Sequence, residues 1–257
     1  MEITEHIASL RGEGELLAEA AEAVPLDTPV PSCPGWRVRD LLAHLGFVHR
    51  WAAGYVAGGL TEPADDPDEP ELLRLAPGDE TLTGWFREGH AGLVAALSAA
   101  GPDLQCWTFL PAPSPLAFWA RRQAHETAIH RIDAQLAAGR SLDPFPTGLA
   151  ADGIDELLTG FGGRNPRALS DSPATLAVRA TGAPAAAWTV TMGQEGSGVS
   201  RGLVQPATPG RHCEVSGPAS ALYLLLWNRD PAAGGIDVTG DAGVLTTWRD
   251  RLRVRWS

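Results

Sequence analysis

Lysine is absent from this chain of 257 residues, so all 20 of its basic residues are arginine. The absence excludes a lysine nucleophile or a lysine Schiff base as the basis of any activity. Positive charge is also scarce, because these 20 residues stand against 31 Asp and Glu and the formal net charge is −11. Nucleic acid and membranes are therefore not expected as partners, since both attract basic surfaces.

Cysteine is equally sparse, with Cys33, Cys106 and Cys213 widely spaced and no CxxC pair among them. An odd number at this spacing excludes a disulfide framework, and we expect each thiol to be a small buried apolar group. Long apolar runs are missing too, because "ALYLLLW" is far too short to cross a bilayer. The acidic N-terminal segment does not resemble a signal peptide, so we expect a cytoplasmic protein.

Amphipathic periodicity dominates the first part of the chain. Apolar residues recur at three- and four-residue steps, which predicts helices over about 3–24, 38–57 and 80–99, and a fourth from about 116 to the segment "AAGRSLDP". A proline-rich connection, "PLDTPVPSCPGW", separates the first two helices, and an acidic loop follows the second. Four helices of this length predict a four-helix bundle, followed by a shorter helix at about 148–161.

The pattern changes after "GGRNPRALSDSP". Strand-like alternation occurs in "ATLAVRAT" and "AAAWTVTMG", and "HCEVSG" and "GGIDVTG" are short strands that each precede a helix. These segments predict a small domain with a mainly antiparallel sheet and helices on one side. The predicted fold class is therefore α+β with two domains, 1–166 and 167–257.

The segment "RRQAHETAIHRIDAQ" carries the most chemistry on the fourth helix. His125 and His130 are five residues apart, about 140° around a helix, so they cannot ligate one ion together. Glu126 and His130 are four residues apart and share a face, which makes them a candidate pair of metal ligands. The same spacing is also typical of a ladder of ion pairs from Arg122 through Glu126 to His130.

A third ligand is needed, because a catalytic zinc site uses three protein ligands and one open position. The second helix offers His44 and His49. His49 lies deeper in the apolar stripe and His44 lies at its rim, so periodicity alone does not choose between them.

Three segments resemble the mycothiol-dependent maleylpyruvate isomerase family: "VPSCPGWRVRDLLAHLGFVHRW", "RRQAHETAIHRIDAQ" and "VSGPASALYLLLWNRD" with its continuation "IDVTGDAGVLTTW". The resemblance implies a DinB-like metal-binding four-helix bundle joined to a small C-terminal α/β domain. It also implies that His44, Glu126 and His130 bind a divalent metal, with zinc expected, and that mycothiol is the thiol cosubstrate.

The resemblance implies an enzyme in which a metal-activated thiolate attacks an electrophilic substrate, in maleylpyruvate-type cis–trans isomerisation or in thiol S-transfer. The expected partners are the small thiol and a small electrophile, with a monomer or small homo-oligomer as the assembly. Arg122 is a candidate for binding a substrate carboxylate, with an ion pair to Glu126 as the alternative. Arg229 is a second candidate cation, and the alternative is a helix C-terminal arginine that interacts with the helix dipole.

Two further interpretations stay open. Asp133 could hydrogen-bond a metal ligand without touching the metal, although its i, i+3 spacing leaves open whether it reaches the ring of His130. The alternative function is a non-enzymatic metal-containing protein that binds a small molecule, in which the metal is structural and fully coordinated by the protein.

Overall fold

The computed structural model describes residues 1–63, 74–162, 170–182, 186–194, 196–203, 210–229 and 234–252. The chain divides into two compact units, the first spanning Met1–Asp143 and the second beginning at Pro144. The predicted boundary between residues 166 and 167 lies outside the described residues, and the division between the units comes earlier in the chain. Among the residues given above, no helix is both long and apolar enough to cross a membrane.

Four long helices build the first unit, as predicted: α1 (Ile3–Glu22), α2 (Val38–Gly58), α3 (Asp79–Ala99) and α4 (Pro115–Ala137). Helices α1 and α2 each contact both α3 and α4. Their apolar stripes are buried against one another, with Leu10, Leu17, Leu41, Leu45 and Phe86 fully enclosed. The three- and four-residue periodicity therefore located the bundle and its core.

Local features fix where these helices begin and how closely they pack. Ser114 caps α4, its hydroxyl accepting a hydrogen bond from the Ala117 amide at 3.1 Å, and proline follows as the first helical residue. Gly14 interrupts the apolar stripe of α1 because a Cβ there would overlap the imidazole of His90. The missing side chain lets α3 approach α1 closely.

The proline-rich segment between α1 and α2, which we call the α1–α2 loop (residues 23–37), is held by backbone hydrogen bonds. The Val30 amide donates to the Trp36 carbonyl at 2.9 Å. Between these two residues lie two tight turns, in which the Cys33 amide donates to the Val30 carbonyl and the Trp36 amide donates to the Cys33 carbonyl. Gly35 has a φ of 93°, a left-handed conformation that glycine adopts without strain. The loop therefore holds its side chains in a defined place beside the bundle.

The second unit begins with α5 (Thr147–Asp155), which continues as a π-helix over Glu156–Gly162. Five strands follow: β1 (Ala174–Thr181), β2 (Ala187–Gly193), β3 (Gly196–Arg201), β4 (Arg211–Pro218) and β5 (Asp237–Gly240). They form one sheet in the order β3-β2-β1-β4-β5. Only the β1–β4 pair is parallel among these strands, which confirms the predicted mainly antiparallel sheet.

Two helices of the second unit, α6 (Ala219–Leu226) and α7 (Ala242–Arg251), both contact β1 and β4. The central strands are buried together at paired positions, as Leu176, Val190 and Cys213 show. Strand β3 was missed by the sequence analysis because "GSGVSR" lacks the β-branched and aromatic residues typical of strands. It forms by antiparallel pairing with β2.

Candidate metal site

Helices α2 and α4 run antiparallel and bring His44 opposite Glu126. The Nε2 atom of His44 lies 3.3 Å from Oε1 of Glu126, and Nε2 of His130 lies 3.4 Å from the same oxygen. Two of these residues come from one turn of α4, as the i, i+4 spacing predicted, and the third comes from α2. The structure thus brings together the three residues that the family resemblance implied.

The spacing of these three donor atoms fits a bound ion. All three lie within 4.8 Å of one another. Zinc bonds of about 2.0–2.1 Å in a tetrahedron place neighbouring ligand atoms about 3.3 Å apart. The observed separations of 3.3 and 3.4 Å match that value, and they make the hydrogen bonds from the two histidines to Glu126 longer than the common distance of about 2.9 Å.

Burial leaves one side of the group open. The side chain of His44 is only 3% exposed, but those of Glu126 and His130 are 18% and 12% exposed. The Glu126 and His130 end of the group can therefore be approached by a small molecule, while His44 is held in the protein interior.

Arg122 lies one turn before Glu126 and is itself buried. Its Nη2 atom donates to Oε2 of Glu126 at 3.0 Å, so the ion pair that was the alternative interpretation is present. Burial acts to raise the pKa of Glu126, but hydrogen bonds from His130 and His44 and the charge of Arg122 outweigh it. The pKa therefore lies well below its ordinary value. Arg122 occupies one carboxylate oxygen and leaves the other facing the two histidines.

Asp133 does reach the ring of His130, although its spacing on the helix had left that open. Its Oδ2 atom accepts a hydrogen bond from Nδ1 of His130 at 2.8 Å. The fully buried carboxylate also accepts from the Ser32 hydroxyl at 2.5 Å and from the Cys33 thiol at 3.4 Å. The Nδ1 contact leaves Nε2 of His130 turned towards Glu126.

The charge environment of His130 follows from these contacts. Burial acts to lower its pKa, but hydrogen bonds with Asp133, Cys33 and Glu126 raise the pKa well above its ordinary value. A metal ion would need a neutral Nε2, so binding would release the proton that His130 otherwise carries.

The sequence analysis missed the role of the α1–α2 loop in this site. Ser32 and Cys33 both contact Asp133, and the Trp36 ring lies 5.0 Å from that of His44 and 5.9 Å from that of His130. The Trp36 and His130 rings are nearly parallel, at 17°. Cys33 was expected to be a buried apolar group, which is wrong because it is half-buried and hydrogen-bonded. The signal for these residues was their place in the family segment "VPSCPGWRVRDLLAHLGFVHRW".

The remaining histidines of α2 and α4 lie elsewhere in the bundle. His49 is fully buried and its Nε2 atom lies 2.9 Å from the Thr127 hydroxyl. His125 is also fully buried, with its ring 6.0 Å from that of His6. Arg229 belongs to the second unit, where its guanidinium donates to the Trp227 carbonyl at 2.9 Å.

Comparison with known proteins agrees with this architecture. The family described as the mycothiol maleylpyruvate isomerase N-terminal domain matches residues 7–135, and the corresponding C-terminal domain family matches residues 148–247. No curated protein is significantly similar to the chain in sequence.

Two crystal structures share the fold. One is of a mycothiol-dependent maleylpyruvate isomerase, with a TM-score of 0.63, 14% identity and coverage of 93% of each chain. The other is of a histidine-to-alanine mutant of such an isomerase, with a TM-score of 0.63, 13% identity and the same coverage. This likeness confirms the fold class predicted from the sequence. The two family models confirm the prediction of an enzyme. The chain belongs to the mycothiol-dependent maleylpyruvate isomerase family.

Proposed function

We propose that this protein is a divalent-metal-dependent enzyme that uses mycothiol as its cosubstrate. The thiol adds to an electrophilic carbon–carbon double bond, and either elimination returns the isomerised alkene or the S-adduct is released. Zinc is the proposed ion, because two imidazoles and one carboxylate are ligands that zinc accepts readily. Family membership supports the thiol and the isomerase chemistry.

One observation carries the proposal: the Nε2 atoms of His44 and His130 lie 3.3 and 3.4 Å from Oε1 of Glu126, and all three donor atoms lie within 4.8 Å of one another, close enough to bind one ion. A metal held there would supply a thiolate at neutral pH, where a free thiol with a pKa near 8.5 is mostly protonated. The partial exposure of Glu126 and His130 supports access for the thiol from that side.

The surrounding residues act by holding these ligands. Arg122 binds Oε2 of Glu126 and so directs Oε1 towards the histidines. Because its guanidinium is buried in this ion pair, we propose that Arg122 positions Glu126 and does not bind a substrate carboxylate. Asp133 accepts a hydrogen bond from Nδ1 of His130 and so keeps Nε2 available for an ion.

A substrate carboxylate then needs another cation, and Arg229 stays our candidate. Its backbone amide and guanidinium are both tied to the end of α6, the former to the Leu224 carbonyl at 2.8 Å and the latter to that of Trp227. These bonds anchor Arg229 at the end of α6, and its guanidinium carries the positive charge that would attract a substrate carboxylate.

The second candidate function is a metal-containing binding protein without catalysis. A structural zinc is normally enclosed by four protein ligands. Within the described parts of the chain, the group at His44 contains three His, Cys, Asp or Glu donors, which favours the enzyme.

The test uses the protein stripped of metal, the zinc-reloaded protein, mycothiol and a cis-β-acylacrylate, with isomerisation followed by ultraviolet absorbance. We expect turnover only when zinc and mycothiol are both present. A cobalt-loaded sample should also develop a thiolate-to-cobalt absorption band on addition of mycothiol. A cobalt spectrum that mycothiol does not change, together with absent turnover, would refute the enzyme and favour the binding protein.

A further inference from the structure

An aromatic cluster occupies the bundle beyond the candidate metal site. It comprises Trp51, Tyr55, Trp107, Phe109, Phe118 and Trp119, which come from α2, α4 and the connection before α4. Each ring lies within 6.3 Å of another, the closest pair being Phe109 and Phe118 at 4.8 Å. None of its side chains is charged, so the surface that the rings form is flat and apolar.

The cluster and the ligands lie on the same two helix faces. Trp51 follows His44 by seven residues on α2, and Trp119 precedes Glu126 by seven on α4, so each pair lies within about 20° around its helix. The helices stay adjacent over this distance, because the Trp51 and Trp119 rings are 5.0 Å apart. Seven residues span about 10 Å along a helix, which is the length of a small organic molecule.

The cluster has a buried base and a more open edge. Tyr55, Phe118 and Trp119 are at most 3% exposed, and they serve the packing of the bundle. Trp51, Trp107 and Phe109 are only half-buried. The Trp107 amide donates to the Leu60 carbonyl at 2.7 Å and its carbonyl accepts from the Trp119 indole at 3.0 Å, so this edge is fixed in place.

We infer that this edge, formed by Trp51, Trp107 and Phe109, binds an aryl or similarly flat apolar group of the electrophile. The inference rests on the proposed function and adds a substrate class to it. A small dicarboxylate would make no use of an uncharged aromatic surface about 10 Å along the helices from the ligands. An electrophile with an aromatic substituent would place that substituent against the edge while its double bond lies near the thiol.

The experiment uses two saturated keto acids that cannot react: β-benzoylpropionate, with a phenyl ketone, and levulinate, with a methyl ketone. Their binding to the zinc-loaded protein is measured by calorimetry. We expect β-benzoylpropionate to bind at least about tenfold more tightly than levulinate, a ratio of affinities typical of one well-placed aromatic contact. Equal affinities, or no detectable binding of β-benzoylpropionate, would overturn the inference.

Two variants locate the preference. Trp51→Leu should remove most of the difference between the two keto acids and leave zinc content unchanged. Trp85→Leu is the matched control, because Trp85 is also half-buried but packs against Arg50, at 4.0 Å, outside the cluster. Loss of the preference in Trp85→Leu, or its retention in Trp51→Leu, would contradict the assignment.

The failure of this inference is distinguishable from failure of the proposed function. Turnover of cis-β-benzoylacrylate and cis-β-acetylacrylate is measured with the same samples and mycothiol. If neither alkene reacts but the phenyl ketone still binds preferentially through Trp51, the proposed function fails and the aromatic subsite stands. If both react equally well and the keto acids bind equally, the proposed function stands and the subsite is wrong.

Discussion

Replacing Asp133 by Asn tests how the candidate metal site is supported from the α1–α2 loop. The carboxylate is fully buried and accepts three hydrogen bonds, from Ser32, Cys33 and Nδ1 of His130. Asparagine keeps the volume but removes the negative charge and turns one acceptor into a donor. If the amide nitrogen faces His130, Nδ1 must accept, and the proton moves to the Nε2 atom that the metal needs.

The expected loss follows from comparable outer contacts of metal-binding histidines, whose removal costs about 10- to 100-fold in metal affinity. That range corresponds to about 1.4–2.8 kcal/mol at 25 °C. Zinc affinity is measured by competition with a chromophoric chelator, and the thermal unfolding of the metal-free variant is measured separately. If Asp133 had a purely structural role, the substitution would lower the unfolding temperature and leave zinc affinity unchanged.

Asp143→Asn is the matched control. Asp143 lies after the end of α4 and accepts from the Gln135 amide at 2.7 Å, without contact to the three ligands. It should retain full zinc affinity. An Asp133→Asn variant that folds and binds zinc within about twofold of the unaltered protein would refute the positioning role.

Three other outcomes are expected. Cys33→Ser should keep mycothiol-dependent turnover, because serine still donates to Asp133 and the reacting sulfur comes from the cosubstrate; loss of turnover in the folded variant would implicate Cys33. Arg229→Ala should reduce turnover of carboxylated substrates at unchanged zinc content, and unchanged kinetics would remove Arg229 from the site. Burial and the nearby His90 hold the pKa of His49 well below its ordinary 6.5. The unfolded chain therefore binds a proton that the folded chain does not, and the unfolding free energy should fall as pH drops below about 6.5, by up to about 1.4 kcal/mol per pH unit. His49→Gln should flatten this dependence in urea unfolding of the metal-free protein, and an identical slope would contradict it.

The two histidines of α2 show where sequence patterns stop being informative. Their places on the apolar stripe differ, but both side chains are buried, His44 at 2% exposed and His49 fully, so burial does not identify the ligand. What separates them is the residue opposite on α4, Glu126 for one and Thr127 for the other. That pairing depends on how α2 packs against α4, and the periodicity within one helix carries no information about this packing. By contrast, the i, i+4 placement of Glu126 and His130 was readable from spacing alone.

The hydrogen bonds to Asp133 from the α1–α2 loop could not be predicted from the sequence, for a different reason. Ser32 and Asp133 are about a hundred positions apart, and their contact depends on the hydrogen bonds that fold the α1–α2 loop. Strand β3 presents a related case, because its glycines and serines have little strand propensity and pairing with β2 determines its conformation. Such features arise from tertiary contacts that override local preference.

The most direct test of the metal site compares metal content in two histidine variants. The unaltered protein should bind one zinc per chain after reloading and removal of excess metal. His44→Ala should lose most of it, whereas His125→Ala should keep it, because the buried His125 ring packs near His6 and points about 100° away from Glu126 on α4. Full zinc content in a folded His44→Ala variant would contradict the assignment of His44, Glu126 and His130 as the ligands.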